Sequence, residues 1–219
     1  MWHLFLPEGE GWGEGQPRLD DEKGQLKKIG IFGGTFDPIH HGHLILARDA
    51  AETLQLDSVI FIPAAISPHK LEREPTSPEI RLEMLRAAIE GEQRFAFDAM
   101  ELERASPSYA IETVETLRGH DPAAEFFFLV GEDNVARLSS WHRFPELSRM
   151  VQFVVLDRSG LKTTHSYPAI RRQLDISATD IRKRVASGRS IRYLVPPAVE
   201  KIIRERQLYL EPKKSPPIT

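Results

Sequence analysis

From Lys27 onward, short apolar runs alternate with longer stretches of helical spacing. The run KKIGIFGG at 27–34 reads as a buried strand ending in glycines. Residues 43–56 place Leu44, Ala47, Ala51 and Leu54 on one face, the mark of an amphipathic helix. SVIFIP at 58–63 is a second strand, stopped by Pro63. A polar, proline-bearing loop leads to a helix over 79–89, with Leu82, Leu85 and Ile89 in register. FAFDAM at 95–100 is a further short strand, and 109–118 is helical. EFFFLVG at 125–131 and MVQFVVL at 150–156 are strong strands, and 177–187 and 197–206 are closing helices. Strands separated by helices predict an α/β chain: a Rossmann-like, doubly wound parallel sheet with helices on both faces. Such a sheet binds ligands beyond the carboxyl ends of its strands.

Residues 1–26 break the pattern. Gly9, Gly11, Gly13 and Gly15 alternate with Glu8, Glu10, Trp12 and Glu14. A phosphate-loop reading of these glycines fails, because no strand precedes them, GxGxxG is unmatched and the glutamates would repel phosphate. Residues 1–26 are therefore expected to be a poorly ordered leader, 27–211 one domain and 212–219 a tail. The formal charge of −3 over 219 residues argues against a chain that coats nucleic acid. It leaves room for a local basic pocket. The chain has no cysteine, which excludes disulfides and thiol catalysis and fits a reducing cytoplasm. No apolar stretch approaches the roughly 20 residues that span a bilayer, and the first residues lack the basic start of a secretory signal. Neither a membrane nor a nucleic acid is an expected partner, while a homo-oligomer stays open.

The chemistry concentrates at the first strand–helix junction, Gly33-Gly34-Thr35-Phe36-Asp37-Pro38-Ile39-His40-His41-Gly42-His43. Glycines let backbone N–H groups approach a bulky anion. His40 and His43, three apart at a helix start, share one side of the first turn. The helix end adds free N–H donors and partial positive charge. Gly42 removes a side chain where a ligand could press. Two histidines could also ligate zinc, but zinc needs further partners, and no Walker A sequence is present. A second segment, Ile176-Ser177-Ala178-Thr179-Asp180-Ile181-Arg182, starts a helix with a capping-box-like Ser177 and Asp180. Arg182 adds a planar cationic fork one turn in. Lys183, Arg184 and Arg189 read as a solvated face.

GGTFDPIHHGHL resembles the opening motif of the nucleotidyltransferase superfamily, and specifically of bacterial nicotinate-nucleotide adenylyltransferases. The resemblance runs from Lys27 to Tyr209. It implies that His40 and His43 contact the ATP phosphates and that Gly33, Gly34, Thr35 and Phe36 line the same site. ISATDIR resembles the family's ISxTxIR element, which implies that Ile176, Ser177, Thr179 and Arg182 hold the triphosphate from the opposite side. Ser67-Pro68-His69-Lys70 resembles a PPHK stretch and gives Lys70 a phosphate-holding role, with Ser67 in place of a proline. Ser108-Tyr109-Ala110 resembles a Ser-Tyr-Thr element at the nicotinate pocket and departs from it at Ala110. Gly131 and Asp133 resemble a G-x-D element at the adenosine ribose. Trp141 and Arg143 resemble a W-x-R whose tryptophan can stack on a pyridine ring. The alternative for Trp141 is a packed core residue. The tail LVPPAVEKIIRERQLY resembles the family's closing helix, read as packing.

The resemblance implies an enzyme joining nicotinate mononucleotide to AMP from ATP, with pyrophosphate leaving, and His40, His43 and Arg182 as its catalytic residues. Mg²⁺ is expected to arrive with ATP rather than in a protein metal site. Asp37 stands open between touching that metal's shell and orienting the loop. The rival acceptors are nicotinamide mononucleotide and phosphopantetheine, and a non-catalytic nucleotide sensor on the same fold is a further class. The whole reading expects one clustered positive environment in which two imidazoles, an arginine and two helix starts meet the same polyphosphate.

Overall fold

The computed structural model describes residues 26–65, 75–104, 107–159 and 165–210. The leader over 1–25, the loop carrying Ser67, Pro68 and Lys70, and the tail from 211 onward lie outside the described residues. Six strands form one sheet: β1 (Lys28–Gly34), β2 (Ser58–Pro63), β3 (Phe95–Phe97), β4 (Glu125–Gly131), β5 (Gln152–Asp157) and β6 (Ala169–Arg171). Their order is β3-β2-β1-β4-β5-β6, and every neighbouring pair is parallel. The chain winds outward from β1 in one direction and returns to start β4 on its other side. Connections leaving β1 and β4 therefore diverge, and the crevice between them opens at the strands' carboxyl ends.

The helices are α1 (His41–Thr53), α2 (Pro78–Ile89), α3 (Met100–Glu103), α4 (Ala110–His120), α5 (Glu132–Val135), α6 (Phe144–Met150), α7 (Ala178–Ala186) and α8 (Pro197–Glu205). Successive strand residues point to opposite faces, so the buried runs split into two cores. Phe32, Phe61, Phe127 and Leu129 pack with Leu46 and Ala47 of α1, Met84 and Leu85 of α2, Ile181 of α7 and Ile202 of α8. Ile31, Ile60, Phe126 and Phe128 pack with Ile111 and Val114 of α4 and Leu147 of α6. Among the described residues no helix is long and apolar enough to cross a membrane.

The fold agrees with the doubly wound expectation, and the differences are local. FAFDAM is not one strand: it ends at Phe97, and the Asp98 carboxylate accepts the Met100 N–H at 2.8 Å, turning the chain into α3. The fourth expected strand begins at Gln152 rather than Met150, because Met150 closes α6. The first helix starts at His41, not His43, which makes His40 its N-cap residue. The sequence pattern also passed over β6, α5 and α6, elements of three, four and seven residues. Pieces that short carry too few positions for a periodicity to register.

Candidate active site

The loop between β1 and α1 is held from within by aromatic packing. Phe36 takes a left-handed backbone, φ 49°, and buries its ring at the end of the sheet. A Cβ at Gly34 would stand 2.9 Å from that ring, whereas the same atom at Gly33 would meet only the Phe128 ring at 3.9 Å. Gly34 is thus a packing requirement of Phe36, and exposed Gly33 is the glycine that offers open backbone. The His43 ring lies edge-on to Phe36 at 5.2 Å and to Phe32 at 5.9 Å, and stacks on the His40 ring at 3.7 Å. The His40 N–H donates to His43 Nδ1 at 3.3 Å. In the neutral ring that bond leaves Nε2 as the protonated, donating nitrogen.

His40 is 1% exposed, and its Nδ1 is buried without a hydrogen-bond partner. Burial, reinforced by the positive charges of Arg158 and His41, lowers its pKa from 6.5 to about 3. His40 is therefore neutral at physiological pH, so within the expected clustered positive environment this imidazole adds no fixed charge. Its contribution is an oriented ring nitrogen, and the fixed positive charge comes from arginines. Gly42 also has a different reason from the expected one. A Cβ there would sit 3.0 Å from His40 Nδ1 and Cε1 and 3.4 Å from the Ile176 carbonyl. The missing side chain makes room for the histidine ring. Gly42→Ala is expected to fold, since alanine gains about 1 kcal/mol over glycine inside a helix. It should lose at least about tenfold in kcat as the ring is pushed off its seat. Thermal melts beside steady-state rates check this, and an alanine variant at full rate would refute it.

The segment that starts α7 meets the loop between β1 and α1 directly. Ser177 caps α7, its hydroxyl accepting the Asp180 N–H at 3.1 Å. Arg182, one turn in, donates from Nη1 to the Asp37 carbonyl at 2.6 Å and from Nη2 to Thr179 Oγ1 at 3.3 Å. The Ile176 carbonyl borders Gly42 and accepts from Arg158 Nη1 at 3.0 Å. Positions 40, 43, 176 and 182 thus surround one crevice end, and Thr35 begins the loop at its base.

Asp37 is committed to structure: its Oδ1 accepts from the Tyr209 hydroxyl at 2.6 Å and its Oδ2 from the Thr76 N–H at 3.2 Å. Of its two open roles, loop orientation is the one its contacts describe. Among the described residues no three His, Cys, Asp or Glu side chains gather as a metal site. Lys183 and Arg189 are exposed, and Arg184 donates to the Ser190 carbonyl at 2.8 Å.

The residues expected at the acceptor, Ser108, Tyr109, Trp141 and Arg143, and those expected at the adenosine ribose, Gly131 and Asp133, lie past the ends of β3 and β4. Tyr109 is the N-cap residue of α4, and its ring lies 4.2 Å from that of His142. The preceding Ser108 hydroxyl is buried with no hydrogen-bond partner. Trp141 is half-buried, edge-on to Phe128 at 5.6 Å and to Phe153 at 6.3 Å, so part of its ring is core packing. Phe128 also borders Gly33, which sets Trp141 beside the end of β1. Gly131 ends β4, and Asp133 follows it in the first turn of α5, exposed. Arg143 is exposed with φ 51°, its guanidinium held by Glu146 at 2.6 Å and Glu115 at 2.9 Å. The structure therefore engages Arg143 with carboxylates on the rim of this group.

The family model described as Cytidylyltransferase-like matches residues 31–184. A protein of Geobacillus thermodenitrificans named "Probable nicotinate-nucleotide adenylyltransferase" is 46% identical over 84% of this chain and 87% of its own length. The chain belongs to the nicotinate-nucleotide adenylyltransferase family. It is accordingly a nucleotidyltransferase, an enzyme. A relative of the same name from Bacillus pumilus is 41% identical over 84% of this chain and 99% of its own. Plasmodium falciparum nicotinic acid mononucleotide adenylyltransferase superposes with a TM-score of 0.69 at 20% identity, covering 84% of this chain and 97% of that one, a likeness of fold.

Within this family member, three residues escaped the motif reading. Arg158 follows β5 and places a cation within electrical reach of His40. Its position at a strand's carboxyl end was the available signal. His142 lies between the two W-x-R positions and meets Tyr109. Arg81 of α2 is fully buried and donates to the carbonyls of Thr76, Thr35 and Ala64, each at 2.9 Å. Helical spacing puts it near Leu85, but only the fold reveals that its side chain enters the base of the loop between β1 and α1.

Proposed function

We propose that the chain transfers the adenylyl group of ATP to nicotinate mononucleotide, releasing pyrophosphate and forming nicotinate adenine dinucleotide. The observation that carries the reading is the junction of Arg182 with the Asp37 carbonyl, 145 positions away in sequence, beside the stacked His40 and His43. Two phosphate-binding helix starts thereby face one crevice at the β1–β4 divide. The P. falciparum relative complexed with NaAD supports the product assigned here, and a second structure of it is complexed with APC.

In this reading an oxygen of the acceptor's 5′-phosphate attacks the α-phosphorus of ATP. The bond from that phosphorus to the bridging oxygen breaks in line, and pyrophosphate leaves with the electron pair. The attacking oxygen is already ionised near neutral pH, so no general base is required. The barrier is repulsion between anions: one pair of unit charges about 4 Å apart costs roughly 1 kcal/mol in water and about 4 at an effective dielectric near 20. Arg182 and Arg158 offset charge on the departing phosphates, His40 and His43 offer ring nitrogens to the α-phosphate, and the first turns of α1 and α7 add N–H donors. Mg²⁺ belongs to the substrate, carried on ATP oxygens and water and lowering their charge, a fit with a loop whose one carboxylate, Asp37, is already held by Tyr209 and Thr76. Gly131 and Asp133 face the adenosine, and Ser108, Tyr109 and Trp141 border the nicotinate ring, with Lys70 and Arg143 assigned to acceptor phosphate and rim.

Pyrophosphate release from MgATP, measured with each acceptor in turn, tests the assignment. Nicotinate mononucleotide is expected to give the highest kcat/KM, nicotinamide mononucleotide a lower one and phosphopantetheine no product. Preference for either of the others reassigns the acceptor. ATP binding with no product from any of them would make the chain a nucleotide sensor.

A further inference from the structure

Asp37 is claimed from three directions at once. Its Oδ1 accepts from the Tyr209 hydroxyl in a buried bond spanning 172 positions, its Oδ2 from the Thr76 N–H, and its carbonyl from Arg182. Beneath the loop lies buried Arg81, whose charge attracts the Asp37 carboxylate while its N–H groups hold the carbonyls of Thr35, Ala64 and Thr76. The residue that orients Arg182 is thus fixed on its other side by the final described turn of the chain.

That turn is built for the purpose. After α8 the backbone folds back through Gln207 at φ 51° and Tyr209 at φ 62°, conformations that residues other than glycine seldom adopt. The outcome is a tyrosine 5% exposed with its hydroxyl on a carboxylate. Packing alone would need only the ring, and phenylalanine would supply that. Burial and the adjacent Asp37 charge push the Tyr209 hydroxyl well above the usual tyrosine pKa, so it remains a donor.

We infer that Tyr209 is a positioning residue for the nucleotide site: through Asp37 it holds the loop carbonyl that aims the Arg182 guanidinium at the ATP phosphates. The closing segment, read from sequence as packing, thereby acts on the active site from the opposite end of the chain. This rests on the assignment of Arg182 to ATP, but not on which acceptor is used.

The test is MgATP affinity by calorimetry without any acceptor, for the wild type, Tyr209→Phe, Arg182→Lys and the double variant, with thermal melts alongside. Tyr209→Phe retains the ring and is expected to fold while weakening MgATP binding about tenfold, the scale of one hydrogen bond to a charged group. In the Arg182→Lys background the same change should cost less than about twofold, because the two residues act as one unit. Unaltered MgATP affinity in Tyr209→Phe overturns the inference. So does an equal loss in both backgrounds, which would mark a contact that stabilises the fold without reaching Arg182. A failed acceptor assay with this coupling intact would count against the acceptor assignment and leave the Tyr209 role standing.

Discussion

His40→Ala is expected to turn over about 100- to 1000-fold more slowly than the wild type, the range for deleting one preorganised donor at a developing charge. The reason is the combination found at this residue. Its ring is buried, stacked at 3.7 Å on His43, and carries a nitrogen with no hydrogen-bond partner. Nδ1 faces the Gly42 backbone, so in the proposed reaction the phosphate oxygen meets the other ring nitrogen, Nε2. The loss should fall on kcat more than on the KM for ATP, because the interaction strengthens as charge develops. Steady-state kinetics on a variant shown to be folded decide it, and an alanine enzyme at the normal rate would reject the assignment.

The same burial gives a pH signature with a definite sign. His40 titrates near 6.5 when unfolded and near 3 when folded. Between those values the unfolded chain binds more protons, so the contribution of the neutral ring is complete above 6.5 and is lost as pH falls toward 3. For this residue alone the loss between pH 7 and pH 5 is about 2 kcal/mol. Urea unfolding of the wild type and His40→Gln at both pH values should show that difference. The rate, in contrast, should show no His40 titration near neutrality.

Arg182→Ala is the second large effect, with kcat/KM for ATP expected to fall about 100- to 1000-fold. One guanidinium edge is spent on the Asp37 carbonyl and Thr179 Oγ1, and that fixes the direction of the remainder. Lysine carries the charge but presents no planar fork. Arg182→Lys should therefore recover only a small part of the loss. Full recovery by lysine would show that a point charge suffices and that the bond to Asp37 does not matter for rate.

Much of this molecule was legible from residue order. β1, β2, β4 and β5 announce themselves as apolar runs of six or seven residues, and α1, α2 and α4 by their apolar spacing. Ser177 and Asp180 gave away the start of α7 because a cap is a local device, settled by residues three apart. The two motif segments, at 33–43 and 176–182, were readable for the same reason. Arg158, His142 and Arg81 were not, because each acts on residues far from it in sequence, Arg158 and Arg81 outside the quoted motifs and His142 at the variable position of W-x-R. Gly42 was found, but with the wrong neighbour: a ligand was expected where the His40 ring stands.

Periodicity, caps and consecutive motif residues are local properties of a chain, so residue order alone determined the doubly wound sheet, the starts of α1 and α7 to within two residues and the family resemblance. The tertiary structure decided what depends on burial and on contacts between distant segments. It made His40 neutral by removing it from water, gave the Asp37 carboxylate to Tyr209 and Thr76, and brought Arg182 onto the loop from the far end of the domain. A residue's charge state and its partner are set by the dielectric and the neighbours that folding supplies, and neither is written in the spacing of side chains along a strand or helix.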